Sequence, residues 1–297
     1  MHPIHTLDLN FLDRKDAIAV YLIPHKKGAV LVETGPGSTL PVLKENLAQN
    51  GLTPHDITHV LLTHIHLDHA GAAGWFANQG AQVLVHPVGK PHMANPEKLL
   101  ASAKRIYKEN MERLWGEFLP VAQEKLVAVE DRQTVKIEDL EFTALHTPGH
   151  AEHHISWLFE GTCFSGDVGG IRIPGVFYIR LPMVPPELNL EKWRSSLSLL
   201  QVAGFQKIAP THYGIYTDAQ DHLSMAMKLL DENEEWISNN FDIEKSTEKL
   251  GEEYVQFLYE QGKRQGVSEE TLKTSEVANP SWMGAIGLSR YWRKNRL

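Results

Sequence analysis

Short apolar runs separated by turn residues dominate the first two thirds of the chain. Ala17 to Ile23 is apolar throughout and is closed by Pro24. His25-Lys26-Lys27-Gly28 then turns the chain into Ala29 to Val32, which predicts a hairpin. Thr58 to Thr63 reads as a strand buried on both faces. Further strands are expected at Ala81 to Val85, Leu126 to Val129, Gln133 to Ile137, Leu140 to Leu145, His154 to Phe159, Thr162 to Phe164 and Lys207 to Ala209. Between them, Pro41 sits in the first turn of a helix that runs to near Gly51. Helices are also expected over Ala70 to Asn78 and Leu190 to Val202.

Two stretches depart from this strand-rich pattern. Pro96 to Phe118 predicts one continuous helix of about six turns, with Leu99, Leu100, Ile106, Met111 and Leu114 among its apolar positions. It reads as a helical insertion covering about 88–123. From Asp218, a potential N-cap, the period becomes helical: Leu223, Ala226, Met227 and Leu230 follow i, i+3, i+4, i+7. A second helix spans Ser246 to Gln265 ahead of Gly266, and a third begins after Ser268. The expected division is therefore 1–218 for the strand-rich domain and 219–297 for a helical C-terminal extension.

The 297 residues are 42% hydrophobic and 22% charged, an ordinary globular composition. No stretch approaches the ~18 apolar residues of a membrane span, and Met1 to Asn10 has neither a basic nor an apolar signal region. The expectation is a cytoplasmic protein with no membrane partner. A net charge of −8 argues against a nucleic-acid partner, which favours a basic surface. The single Cys163 excludes an intrachain disulfide and a cysteine-based zinc site. With 16 histidines, transition-metal chemistry would use imidazole and carboxylate.

Such chemistry has a place in Thr63-His64-Ile65-His66-Leu67-Asp68-His69-Ala70-Gly71, which follows a buried strand and opens a helix. Side chains two apart on extended backbone point the same way, so His64 and His66 can converge on one cation. Asp68 and His69 lie where the chain turns into the helix and can face a second. Zinc, iron and manganese all accept these donors. A histidine-rich surface loop is the bland alternative, but four potential ligands within six residues at a strand end argue against it.

The string resembles the HxHxDH signature of the metallo-β-lactamase superfamily. Three later blocks match in family order: Thr147-Pro148-Gly149-His150, Ser165-Gly166-Asp167 and Pro210-Thr211-His212-Tyr213-Gly214. Leu31-Val32-Glu33-Thr34-Gly35 resembles the strand-turn that supports the metal loop, with Glu33 where an aspartate is usual. The likeness covers roughly 15–215. It implies an α+β fold, a four-layer αββα sandwich of two mixed β-sheets, followed here by the C-terminal helical extension.

The resemblance also implies a ligand set. His64, His66 and His150 would hold one metal, Asp68, His69 and His212 the other, and Asp167 would bridge them. His154 would orient a ligand. The cofactors expected are two divalent metal ions, zinc first, with iron or manganese as alternatives. The activity implied is hydrolysis of a small-molecule ester, thioester or lactone by a metal-bridged hydroxide. Asp68 would carry a proton to the leaving group, and Tyr213 would donate to the developing oxyanion. A mononuclear non-haem iron oxygenase similar to the persulfide dioxygenases, or a phosphodiesterase, are the alternative readings. Substrate selection is expected from the insertion, from loop 168–188 with Arg172, Phe177, Tyr178 and Arg180, and from the C-terminal helices, which would also form a homodimer contact.

Overall fold

The computed structural model describes residues 1–297. Eleven strands form two mixed sheets. The first contains β1 (His5–Asp8), β2 (Ala19–His25), β3 (Gly28–Val32), β4 (Ile57–Leu61), β5 (Gln82–Val85) and β6 (Leu126–Ala128), paired in that order. It is antiparallel from β1 to β3 and parallel from β3 to β6. The second contains β7 (Thr134–Ile137), β8 (Leu140–His146), β9 (Ile155–Phe159), β10 (Thr162–Phe164) and β11 (Lys207–Ala209). It is antiparallel except for the β10–β11 pair.

The period-two alternation of side chains explains how the layers assemble. Along β2, Ala19, Tyr21 and Ile23 face the second sheet and meet Phe142, Trp157 and Phe164. Val20 and Leu22 face the other way. There they meet α1 (Leu40–Gln49), the broken helix pair α2 (Leu67–Ala70) and α3 (Ala73–Asn78), and the insertion. The insertion consists of α4 (Lys90–Ala94), α5 (Glu97–Tyr107) and α6 (Met111–Trp115). Outside the second sheet lie α7 (Leu190–Gln201), α8 (Ala219–Asn240), α9 (Thr247–Arg264) and α11 (Ser281–Asn295), whereas α10 (Glu269–Ala278) reaches the turn at Phe11–Asp13. The result is the expected αββα sandwich. Of the helices after 219, α8, α9 and α11 share one apolar core with α7, through Leu223, Leu230, Leu258 and Leu288 against Trp193 and Leu197.

Three expectations change. The single helix over 96–118 is broken at Lys108, whose φ is +49°, so α5 and α6 meet at an angle and wrap a cleft. The region after Ser268 holds two helices, because Asn279-Pro280 ends α10; Pro280 lacks the donor that a continuing helix needs. Asp218 does not cap α8. Its carboxylate instead takes both terminal nitrogens of Arg172, at 2.6 and 2.8 Å. That guanidinium lies over the rings of Phe177 and Tyr216, 4.5 and 3.9 Å from their centroids. Arg180 is likewise buried, against Glu276, Ser281 and the Asn279 carbonyl. Both arginines tie loop 168–188 to the C-terminal helices, so neither is free for a substrate.

His222 on α8 completes this clamp, with its Nε2 2.7 Å from the Gly169 carbonyl oxygen. Burial pushes its pKa down to about 4. Above pH 6.5 the ring is neutral both folded and unfolded. Below that, the unfolded chain takes up a proton that the folded chain refuses, so stability falls with pH until about pH 4. Between pH 7 and pH 5 this residue should cost about 2 kcal/mol. Urea unfolding at both values should show His222→Gln losing that much less than the unaltered protein. Equal losses would contradict the assignment.

Candidate metal centre

Five loops at the C-terminal ends of strands meet at one edge of the sandwich. Glu33 follows β3, His64 to His69 follow β4, His150 follows β8, Asp167 follows β10 and His212 follows β11. The loops are pinned by crossing bonds between the sheets. Ile155 N–H donates to the Thr63 carbonyl at 2.7 Å, and Ala19 N–H to the Thr211 carbonyl at 2.8 Å. Two glycines permit the packing. A Cβ on Gly149 (φ +141°) would lie 2.4 Å from the backbone of Trp193, and one on Gly166 (φ +50°) would lie 2.5 Å from Thr63 Oγ1.

The structure brings all seven expected ligands together, in two groups. In the first, His66 Nδ1 lies 3.0 Å from His64 Nε2 and 2.9 Å from His150 Nε2. Asp167 Oδ2 completes it, 3.2 Å from His150 Nε2. In the second, Asp68 Oδ2 lies 3.7 Å from His69 Nε2 and 3.5 Å from His212 Nε2. Asp167 Oδ1 faces those same nitrogens at 3.3 and 3.5 Å. Each group has the reach to hold a cation, and Asp167 presents one oxygen to each.

The far nitrogens explain why the near ones are free. His150 Nδ1 lies 2.8 Å from the Pro182 carbonyl and His212 Nδ1 2.7 Å from the Ala17 carbonyl. His69 Nδ1 lies 3.1 Å from Glu33 Oε1. These are acceptors, so the far nitrogens carry the protons and the near lone pairs point inward. Three inward atoms, His69 Nε2, His212 Nε2 and Asp167 Oδ1, are buried and make no aligned hydrogen bond. Orphaned buried acceptors are costly, and a cation is the group that satisfies lone pairs converging from several sides. The donor set thus fits a transition-metal ion.

Glu33 is fully buried behind the centre and accepts from four donors. These are the Thr63 N–H and hydroxyl, the His69 ring and the Thr211 hydroxyl. Because Thr63 gives its proton to Glu33, its oxygen can accept from His64 Nδ1 at 3.0 Å. The glutamate therefore does the supporting work expected of an aspartate there, its extra methylene spanning the gap. His154 makes no hydrogen bond to a ligand. It stacks on His64 with ring centroids 5.1 Å apart and is held by Thr147 Oγ1 at 2.9 Å.

Electrostatics sorts the imidazoles. Burial drives His64 well below its usual pKa and His150 to about 4. Burial opposes protonation of His69 and His212 as well. There the carboxylates of Asp167 and Asp68 prevail and raise both. Protons and cations therefore compete for the second group.

Tyr213 does not face the centre. It packs against Ile171, Ile173 and Ala278 and is absent from the cleft lining. Tyr107, from the insertion, is the phenol that lines the cleft above the ligands, beside Asp68. Burial and the Asp68 carboxylate raise its pKa, which keeps it a proton donor. Its hydroxyl meets only the Met283 sulfur, at 3.4 Å, so the wall joins residues from opposite ends of the sequence. Of loop 168–188, only Val184 to Glu187 reach this cleft.

The sequence signature of the metallo-beta-lactamase superfamily matches residues 13–212. The chain belongs to that superfamily. Among its relatives is the metallo-beta-lactamase fold-containing protein ST1585 of Sulfurisphaera tokodaii, 24% identical across 65% of this chain and 72% of that protein. Another is an atrochrysone carboxyl ACP thioesterase of Aspergillus chevalieri, 28% identical across 67% of this chain but 52% of the fungal protein. Several curated relatives are matched over only about half of their length. Among solved structures, the family protein TTHA1429 of Thermus thermophilus superposes with a TM-score of 0.71 at 20% identity. That likeness covers 99% of this chain and 93% of the other, so the two proteins share a fold that includes the C-terminal helices. No helix is long and apolar enough to cross a membrane.

Proposed function

We propose that this metallo-β-lactamase superfamily protein is a dinuclear hydrolase of an ester, thioester or lactone. The observation that carries the reading is the pair of donor groups joined by one carboxylate, with one Asp167 oxygen turned toward each. His64, His66 and His150 would hold one divalent ion and Asp68, His69 and His212 the other, zinc being the first choice for this donor set. Such ions would supply a nucleophile derived from water at neutral pH and a Lewis acid for the carbonyl oxygen. The chain's own part is to orient the ligands through Glu33, Thr63 and the Pro182 and Ala17 carbonyls. Asp68, which lines the cleft, is the acid–base group assigned to protonate the leaving atom. The thioesterase relative supports an acyl substrate.

The test is elemental analysis of the purified protein beside assays on thioester, lactone and phosphodiester substrates. About two metals per chain with cleavage of an acyl substrate is the expected result. One iron per chain, oxygen uptake and no hydrolysis would favour the oxygenase alternative. Cleavage of the phosphodiester alone would move the substrate class.

A further inference from the structure

His153 belongs to neither donor group, yet it lines the cleft beside them. Its ring lies edge-on to His66, with centroids 5.6 Å apart, and stacks on His64 at 6.1 Å. The Ile65 N–H points at its Nδ1 from 3.5 Å, so Nδ1 is the acceptor and Nε2 carries the proton. That Nε2 faces Glu187 Oε2 at 3.6 Å, too far for a hydrogen bond. With only 7% of the His153 side chain exposed, an N–H left without an acceptor is costly. Glu187, the other partner, also lines the cleft and is held from behind. The Glu152 N–H donates to its Oε2 at 2.9 Å, and Pro185 and Pro186 before it restrict the backbone.

One group donates and the other accepts, across a gap that a single atom can bridge. An oxygen set to one side of the pair lies within hydrogen-bond reach of both. Ether, ester and carbonyl oxygens only accept, and an ammonium only donates. A trans secondary amide does both, but its N–H and C=O point in opposite directions. A hydroxyl does both through one atom. We infer that His153 and Glu187 form a hydroxyl-selecting pair: the substrate carries a hydroxyl within a few bonds of its scissile bond. The closeness to the bond follows from the contact of His153 with His66, and it rests on the hydrolase reading, which it deepens.

The experiment compares hydroxylated substrates with their deoxy twins on the metal-loaded protein. The S-phenyl thioester of butyrate is set against its 2-hydroxy and 3-hydroxy derivatives, and ethyl butyrate against 2-hydroxyethyl butyrate. Both sides of the bond are thus covered, and each rate is divided by the uncatalysed hydrolysis of the same compound. A hydroxyl at the matching position should raise kcat/KM roughly 10- to 100-fold, the range for a hydrogen bond to a charged group. His153→Phe keeps a ring and removes the donor. Glu187→Ala removes the acceptor at a partly exposed position. Each should bring the ratio of hydroxylated to deoxy substrate close to unity. A side chain that merely packs would change both members of a pair alike and leave the ratio untouched.

Calorimetric titration with the corresponding amides, which resist hydrolysis, gives a readout without turnover. Cleavage with no hydroxyl preference at any position, or a preference that survives both variants, would overturn the pair and leave the hydrolase standing. Tighter binding of a hydroxylated amide, lost in both variants, with no cleavage of any ester would keep the pair and overturn the hydrolase. No cleavage and no preference in binding would overturn both.

Discussion

Replacing Asp167 with asparagine is expected to release one of two bound cations and to slow hydrolysis by roughly 10²- to 10⁴-fold. The side chain is almost fully buried, and its two oxygens face different donor groups. Asparagine keeps the size and shape but offers one carbonyl oxygen and an amide that donates. It can complete one group, whereas its NH₂ would point at inward lone pairs of the other. Burial alone would favour the protonated acid. His69, His150 and His212 outweigh that and hold the Asp167 carboxyl well below the usual range. The anion is thus the form these neighbours are arranged to meet. Metal content by elemental analysis and kcat on the best ester are the two measurements. A variant with two tightly held ions and unchanged turnover would remove Asp167 as the shared ligand. Because the side chain sits in a loop after β10 and carries no apolar packing, the melting temperature at saturating metal should change less than the stoichiometry does.

Glu33→Gln should weaken metal affinity by about 10- to 100-fold, the usual consequence of disturbing a group that orients ligands. Four donors point at this carboxylate from Thr63, His69 and Thr211. A glutamine oxygen can satisfy some of them, but its NH₂ then faces another donor, and a buried donor without an acceptor costs about 1–3 kcal/mol. The rotated His69 ring would present its inner nitrogen at a poorer angle. The loss should appear as metal removed at a lower chelator concentration, with kcat recovering when metal is added in excess. Glu33→Asp keeps the charge, so it should bind metal more tightly than Glu33→Gln. If both variants hold metal like the unaltered chain, the four-donor network is merely structural.

The ligands were legible because each lies in a short string at the end of a strand. His64 to His69, Thr147 to His150, Ser165 to Asp167 and Thr211-His212 each pair an apolar run with a turn and a donor. The strands of the first sheet were legible as unbroken apolar runs such as Ala17 to Ile23, which have an apolar core on each face to enter. The cleft wall was not. Tyr107 and Met283 are 176 positions apart, and no local pattern joins them. Arg172 and Arg180 were misread for a related reason. An arginine in an aromatic-rich loop looks the same whether it awaits an anion or already has Asp218 or Glu276 as its partner. The break at Lys108 also left no trace, having neither glycine nor proline to mark it. The short edge strand β1 was missed as well, because its four residues show one buried position among half-buried ones.

The division of the ligands between the sheets bears on how the protein holds together. His64, His66, Asp68 and His69 arrive with the first sheet, and His150, Asp167 and His212 with the second. Neither half alone presents either complete coordination group. A cation held by ligands from both sheets would act as a rivet through two plates. Its loss would be felt first as the sheets loosening at that one edge.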